Sequence, residues 1–156
     1  MGDAPAYTAG PVDPSGLDRR YLDELKDRLA RSAFHTWVGL FVESVGDGEA
    51  RLGVELQPHH FNQQGIVHGG LISLLADTAI GLALRSRLAP GVTHRTAQLN
   101  VHFLRHSERG RLVGIGRAVH SGKRMGYGEA EVRDDAGELL ARASATFIIL
   151  AAPGAF

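Results

Sequence analysis

The chain has 156 residues, with 17 Lys and Arg balanced by 17 Asp and Glu and no cysteine; that length suits one domain with a real core and is too short for two. The zero formal charge argues against whole-domain attraction to nucleic acid or a membrane surface. The missing thiol excludes a disulfide scaffold, a thiolate zinc site and a cysteine nucleophile.

Residues 1–16 carry Gly2, Pro5, Gly10, Pro11, Pro14 and Gly16 with little to bury, and they read as a flexible tail ahead of a single domain over 17–152. No positively charged start runs into an apolar stretch, so no secretory signal is expected. Met1-Gly2 lacks the hydroxyl at position 6 that myristoylation wants. The expected compartment is the cytoplasm. Ser15 with Asp18 resembles a capping box, and Leu17, Tyr21, Leu22, Leu25 and Leu29 follow at helical spacing, predicting an amphipathic helix to about Ser32.

From Val38 the period changes. Val38–Val45 and Ala50–Leu56 predict a strand pair joined by Gly46-Asp47-Gly48. After an irregular stretch, Gly70–Arg87 is apolar on nearly every side, which predicts a buried helix. Its apolar core, Gly69–Leu84, is broken by Ser73, Asp77 and Thr78 and is too short to span a membrane. Four strands then follow, over 97–103, 112–119, 127–133 and 139–150. Strands with one polar face and short turns predict an antiparallel sheet. The simplest α+β arrangement is a six-stranded antiparallel sheet wrapped around one central helix, with an extra amphipathic helix at the N-terminus.

Asp77 is the residue that carries most information. It lies mid-helix in the most apolar segment, where an ionised carboxylate is costly. A structural reading satisfies it with the hydroxyl of Ser73 or Thr78. A functional reading makes it a base or nucleophile in a partly dry pocket. At the start of the same helix stands His68-Gly69-Gly70. Helix starts have unpaired N–H groups and partial positive charge, and glycine lets a ligand come close, so the Gly69 or Gly70 amide could hold an oxyanion. Eight residues separate Gly69 from Asp77, roughly 12 Å along a helix axis. One thioester carbonyl needs donor and attacking group both at about 3 Å. Two antiparallel copies of the helix can meet that demand, and the stripe Gly70, Ser73, Asp77, Gly81 could face such a copy.

The run Asn62-Gln63-Gln64-Gly65-Ile66-Val67-His68-Gly69-Gly70, then Ala76-Asp77-Thr78-Ala79, resembles the acyl-CoA thioesterase motif of the hotdog superfamily. The resemblance is to the phenylacetic-acid-degradation (PaaI) group, related to 4-hydroxybenzoyl-CoA thioesterases. It covers about residues 35–150, with further matches at Asn100–Arg105 and Gly122-Lys123. It implies a hotdog fold that hydrolyses acyl-CoA as a homodimer, paired into a dimer of dimers, without a cofactor. Asp77 would then be nucleophile or general base, and Gly69 would polarise the carbonyl from the other subunit. Asn62 would position substrate or water, and His68 would lie beside the thioester. Thr96 matches, with a slip of one residue, a hydroxyl that orients water in some members. This chain departs from relatives in having Gly81 where some carry a hydroxyl, and His106 where a proline often follows Leu-Arg.

Residues 105–124 hold Arg105, Arg109, Arg111, Arg117, Lys123 and Arg124 against Glu108 alone. Such a run suits the phosphates of coenzyme A, or it is a solvated strand surface. Arg105, Lys123 and Arg124 are the expected contacts, the last two favoured by the resemblance. The histidine pairs His59-His60 and His102/His106 lack an adjacent third ligand, so no metal site is expected. Phe34 and Trp37 belong either to an acyl pocket or to the core. Two alternatives to hydrolysis stand open: a non-catalytic acyl-CoA binder, and a hotdog hydratase or dehydratase. The latter would want a His shortly after Asp77, and none lies before Leu88.

Overall fold

The computed structural model describes residues 19–150, so the expected tail at 1–16 lies outside the described residues. Helix α1 (Arg19–Ala30) and a short α2 (Ala33–Val38) precede the hairpin β1 (Leu40–Gly46) and β2 (Glu49–Glu55). A 3-10 turn at Pro58–His60 leads into α3 (Gly69–Arg85). Strands β3 (Thr93–Phe103), β4 (Arg111–Ser121), β5 (Met125–Asp134) and β6 (Leu139–Leu150) complete the chain. The six strands form one antiparallel sheet in the order β1-β2-β4-β5-β6-β3.

The sheet wraps α3. Leu75, Ala76, Ala79, Ile80 and Ala83 are fully buried against Leu52, Leu112, Val132, Leu140 and Phe147 from the strands. Burying a side chain such as Leu75 or Ile80 stabilises the fold by about 1.5–3 kcal/mol. Helix and sheet touch backbone to side chain, because β4 has no Cβ where they meet: at Gly114 a Cβ would sit 3.0 Å from the Leu75 carbonyl oxygen. The β1–β2 turn has Asp47 at φ 47° and Gly48 at φ 78°, the two positive angles that a tight hairpin turn demands. Among the described residues no helix is long and apolar enough to cross a membrane.

Two local departures from expectation matter. Residues 33–38 form α2, with Gly39 at φ 73° closing it, so Val38 ends a helix and β1 starts later. A six-residue helix has too few positions to show a period. The third strand begins at Thr93, four residues before the expected Ala97, because residues 93–96 pair with residues 147–150 of β6 although they carry no apolar alternation. Along β3 most side chains are exposed, and its outer side pairs with no strand among the described residues. The opposite edge, β1, is backed by α1 and α2.

Candidate active site

The loop before α3 is tied down at each step. The Asn62 side-chain carbonyl accepts the Gln64 amide at 2.9 Å and the Ile66 amide at 3.4 Å. Gly65, at φ 75°, closes this turn, and a Phe61–Val67 bridge seals its base. Val67 then donates to the Ser107 carbonyl and His68 to the His60 carbonyl. His60 is itself a buried strut: its Nδ1 accepts the Gln57 amide at 2.9 Å and its Nε2–H reaches the Val38 carbonyl at 2.9 Å. Burial holds its pKa below the usual value, as befits a neutral ring with both nitrogens engaged. That leaves it no lone pair for a metal, and among the described residues no cluster of three or more ligand side chains could hold one.

This scaffold aims the start of α3. His68 is its N-cap, the Nδ1 accepting the Gly70 amide at 2.9 Å. Of the two amides considered from sequence, Gly70's is therefore occupied. The Gly69 amide, first in the helix, has no acceptor among the described residues. A Cβ at Gly69 would stand 3.3 Å from the Phe103 ring, so that ring forms one wall beside the free donor. Asn62 holds the loop with its carbonyl, leaving its NH2 group as the part able to meet a ligand.

Asp77 lies two turns on, half-buried. Its partner is neither Ser73, whose hydroxyl donates to the Gly69 carbonyl at 3.0 Å, nor Thr78. The Thr96 hydroxyl donates to Asp77 Oδ1 at 2.9 Å. The register of β3 on β6 slips between Thr96 and Gln98, so Ala97 is an extra residue that turns Thr96 inward. Burial raises the Asp77 pKa above the usual carboxylate range, and the Thr96 hydrogen bond pulls it part of the way back. A carboxylate with one oxygen held and a raised affinity for protons is fit to act as a base or nucleophile.

The seam between α3 and β3 runs in order: Phe103 at Gly69, Thr96 at Asp77, and His94 at Gly81, where a Cβ would stand 3.3 Å from the His94 ring. Gly81 is thus covered from within. The side chains left partly open on α3 are Ser73, Leu74, Asp77, Thr78 and Leu82, a stripe along its unpacked face.

The expected phosphate contacts divide. Arg105 sits at the Gly69 end, donating to the Leu139 carbonyl at 3.3 Å and pairing with Glu138 at 3.5 Å. Arg111 pairs with Glu43 and Glu55, and Arg117 with Glu49. Lys123 and Arg124 lie on the β4–β5 turn, exposed and without an ion pair among the described residues. Met125 stands opposite Ile148, and Ile148 opposite Arg95, which puts that turn at the Asp77 end. Phe34 and Trp37 are 55% and 65% exposed, so neither is core.

Sequence reasoning missed His35, Arg85 and His94, which line a cavity between α1, α2, α3 and the start of β3. The only hint of it was His94 two residues before Thr96, on the same strand face.

A family model of the thioesterase superfamily matches residues 64–141. The chain is 35% identical over 125 residues to a protein of Halobacterium salinarum provisionally named an esterase, covering 77% of this chain and 78% of that one. It is 23% identical over 112 residues to the 1,4-dihydroxy-2-naphthoyl-CoA hydrolase of Listeria monocytogenes, covering 72% and 91% respectively. A solved variant of the phenylacetic acid degradation protein PaaI from Thermus thermophilus superposes with a TM-score of 0.68 at 26% identity, over 75% of this chain and 98% of that one.

Proposed function

Since this chain belongs to the thioesterase superfamily, we propose that it hydrolyses acyl-coenzyme A thioesters at a site built from two copies of itself. The observation that carries this reading is Asp77, half-buried and held through one oxygen by Thr96 at 2.9 Å. The nearest free helix-start amide of its own chain lies eight residues back, roughly 12 Å away by helical rise. An antiparallel copy brings its own Gly69 to that carboxylate. The eleven-residue edge of β3 and the open stripe of α3 support such a pairing.

In the proposed reaction the Gly69 N–H of one subunit draws on the thioester carbonyl oxygen. Asp77 of the other acts through Oδ2, the oxygen Thr96 leaves alone. It either takes a proton from water, whose oxygen bonds to the carbonyl carbon, or attacks that carbon itself to give an anhydride that water then opens. In both routes the carbon–sulfur bond breaks and coenzyme A leaves as the thiolate, while negative charge on the carbonyl oxygen is met by the amide. The same antiparallel pairing sets the Arg105 end of one subunit beside the Lys123–Arg124 end of the other, so both can serve the cofactor moiety of the substrate. The relative's name, 1,4-dihydroxy-2-naphthoyl-CoA hydrolase, lends support to coenzyme A as the leaving group.

Thiol release measured over a panel of acyl-CoAs tests this. Wild type is expected to turn over at least one class of acyl group, and Asp77→Ala to lose roughly 10²–10⁴-fold while keeping its fold. A binder without catalysis would release no thiol in either, and near wild-type hydrolysis by the variant would reject the assignment.

A further inference from the structure

One turn beyond Asp77 along the α3–β3 seam, the packing leaves a cavity of about 260 Å³ lined by Leu25, Leu29, His35, Leu82, Arg85 and His94, among others. Arg85 is 6% exposed, yet its Nη1 is buried without a hydrogen-bond partner. His35 and His94 each present a buried Nδ1 that is likewise unpartnered. Arg85, His35 and His94, the first a permanent charge, therefore line one cavity open to the surface, beside Ser32 and Thr93 and with no carboxylate among the lining residues.

A guanidinium taken out of water is destabilising unless something answers it. Part of the answer is local: Arg85 stacks over the Tyr21 ring, 5.5 Å from its centroid, and stands at the C-terminus of α3, where a cation is favoured. Glu24 and Arg28 of α1 act on it from a distance with opposite signs. Among the described residues no carboxylate pairs with it within 4.0 Å, and its Nη1 is left without a partner. The His94 ring rests edge-on against Phe147, 5.0 Å between centroids, and this fixes the direction of its free nitrogen.

We propose that this cavity binds a carboxylate, held by Arg85 with His35 and His94, and that the carboxylate is the far end of the acyl group whose thioester lies at Asp77. The substrate class that follows is acyl groups with a second acid function at the tail. The proposal rests on the hydrolase reading for its second half only. Three features favour a carboxylate. Arginine grips it through two parallel hydrogen bonds. The cavity is smaller than a typical whole-ligand pocket, about the room for the end of a chain. Its walls between the polar groups are Leu25, Leu29 and Leu82, suited to methylenes. From Asp77 to Arg85 is eight residues, roughly 12 Å of helix, a span that a medium-length acyl chain and the arginine side chain cover together.

The test has two arms. In the first, thiol release is compared for hexanoyl-CoA against adipyl-CoA and octanoyl-CoA against suberyl-CoA. Wild type should prefer the ω-carboxylate member of at least one pair by roughly ten- to hundredfold in kcat/KM, the size of a charge-assisted hydrogen bond. Arg85→Met should erase that preference, and Arg85→Lys should keep only part of it. In the second arm, free adipate and suberate are titrated into the protein while melting temperature and the histidine ring NMR signals are followed. Wild type should shift in both, Arg85→Met in neither, and His94→Gln should bind more weakly. His94→Gln also serves where loss of Arg85 unseats α1. No preference and no Arg85-dependent shift overturns the proposal. An Arg85-dependent shift without any preference overturns the tail assignment, whereas the same shift with no thiol release from any acyl-CoA defeats the hydrolase reading and leaves the carboxylate pocket standing.

Discussion

The Nδ1 of His68 accepts the Gly70 amide proton at 2.9 Å, and that bond decides which of two adjacent glycines is free to meet a substrate. It also identifies the tautomer: a ring whose Nδ1 accepts carries its proton on Nε2. Replacing His68 with Ala removes an N-cap and should cost about 1 kcal/mol, seen as a lower melting temperature. His68→Asn supplies a shorter cap acceptor and should recover much of it. If the alanine variant melts with wild type, the ring is not capping α3.

Thr96 moderates the acidity of Asp77. Its hydroxyl favours the ionised carboxylate, so Thr96→Val should raise the Asp77 pKa further above its usual range. The acid limb of kcat/KM against pH would then move to higher pH, and Thr96→Ser should leave it in place. A limb that stays put in the valine variant would mean that another group sets it.

Burial of Asp77 also has a stability consequence, and its sign follows from the direction of the shift. The folded chain holds the Asp77 proton more tightly than the unfolded chain does. Below the ordinary carboxylate pKa both states are protonated and nothing is lost. As pH rises from there through the raised folded pKa, the unfolded state ionises more readily and stability declines. Asp77→Asn cannot ionise, so its melting temperature should overtake that of wild type across this window and stay at or above it at neutral pH. A variant that melts below wild type at neutral pH would contradict the burial argument. The same substitution should remove turnover, separating stability from activity.

Lys123 and Arg124 have exposed side chains with no ion pair among the described residues, so their contribution to binding a polyphosphate should be modest and screened by salt. Each replaced by Gln should raise KM by about two- to fivefold with little change in kcat. The difference should shrink at high ionic strength. Unchanged KM for both would remove the β4–β5 turn from the substrate site.

How far the sequence could be read depended on whether the signal was local. The Gly46-Asp47-Gly48 turn, the apolar run of α3 and the alternation in β5 are set by near neighbours, and each appears within a few residues of its expected bounds. The start of β3 was not legible, because His94, Arg95 and Thr96 are polar and their strand is defined by its pairing with β6. The bulge at Ala97 is a property of two strands paired in register, so nothing in the local sequence announces it. His35, Arg85 and His94 come from three elements, so no spacing could join them. Gly70, Ser73 and Asp77 of the small-residue stripe stay open, whereas Gly81 is buried: the His94 ring lies against it, and Leu82 is the partly open residue at that level.

The most direct test of a site shared between two subunits is complementation. Gly69→Pro removes the donor N–H while suiting the helix, since proline is at home in the first helical position and His68, at φ −64° and ψ 129°, already has the conformation a residue before proline prefers. Asp77→Ala removes the acid. Each variant alone should be inactive. Unfolded together and refolded at equal concentration, they should regain about a quarter of wild-type activity, because half of the random pairs are mixed and each mixed pair holds one intact site. A mixture no more active than its two parents would show that donor and acid act within a single chain.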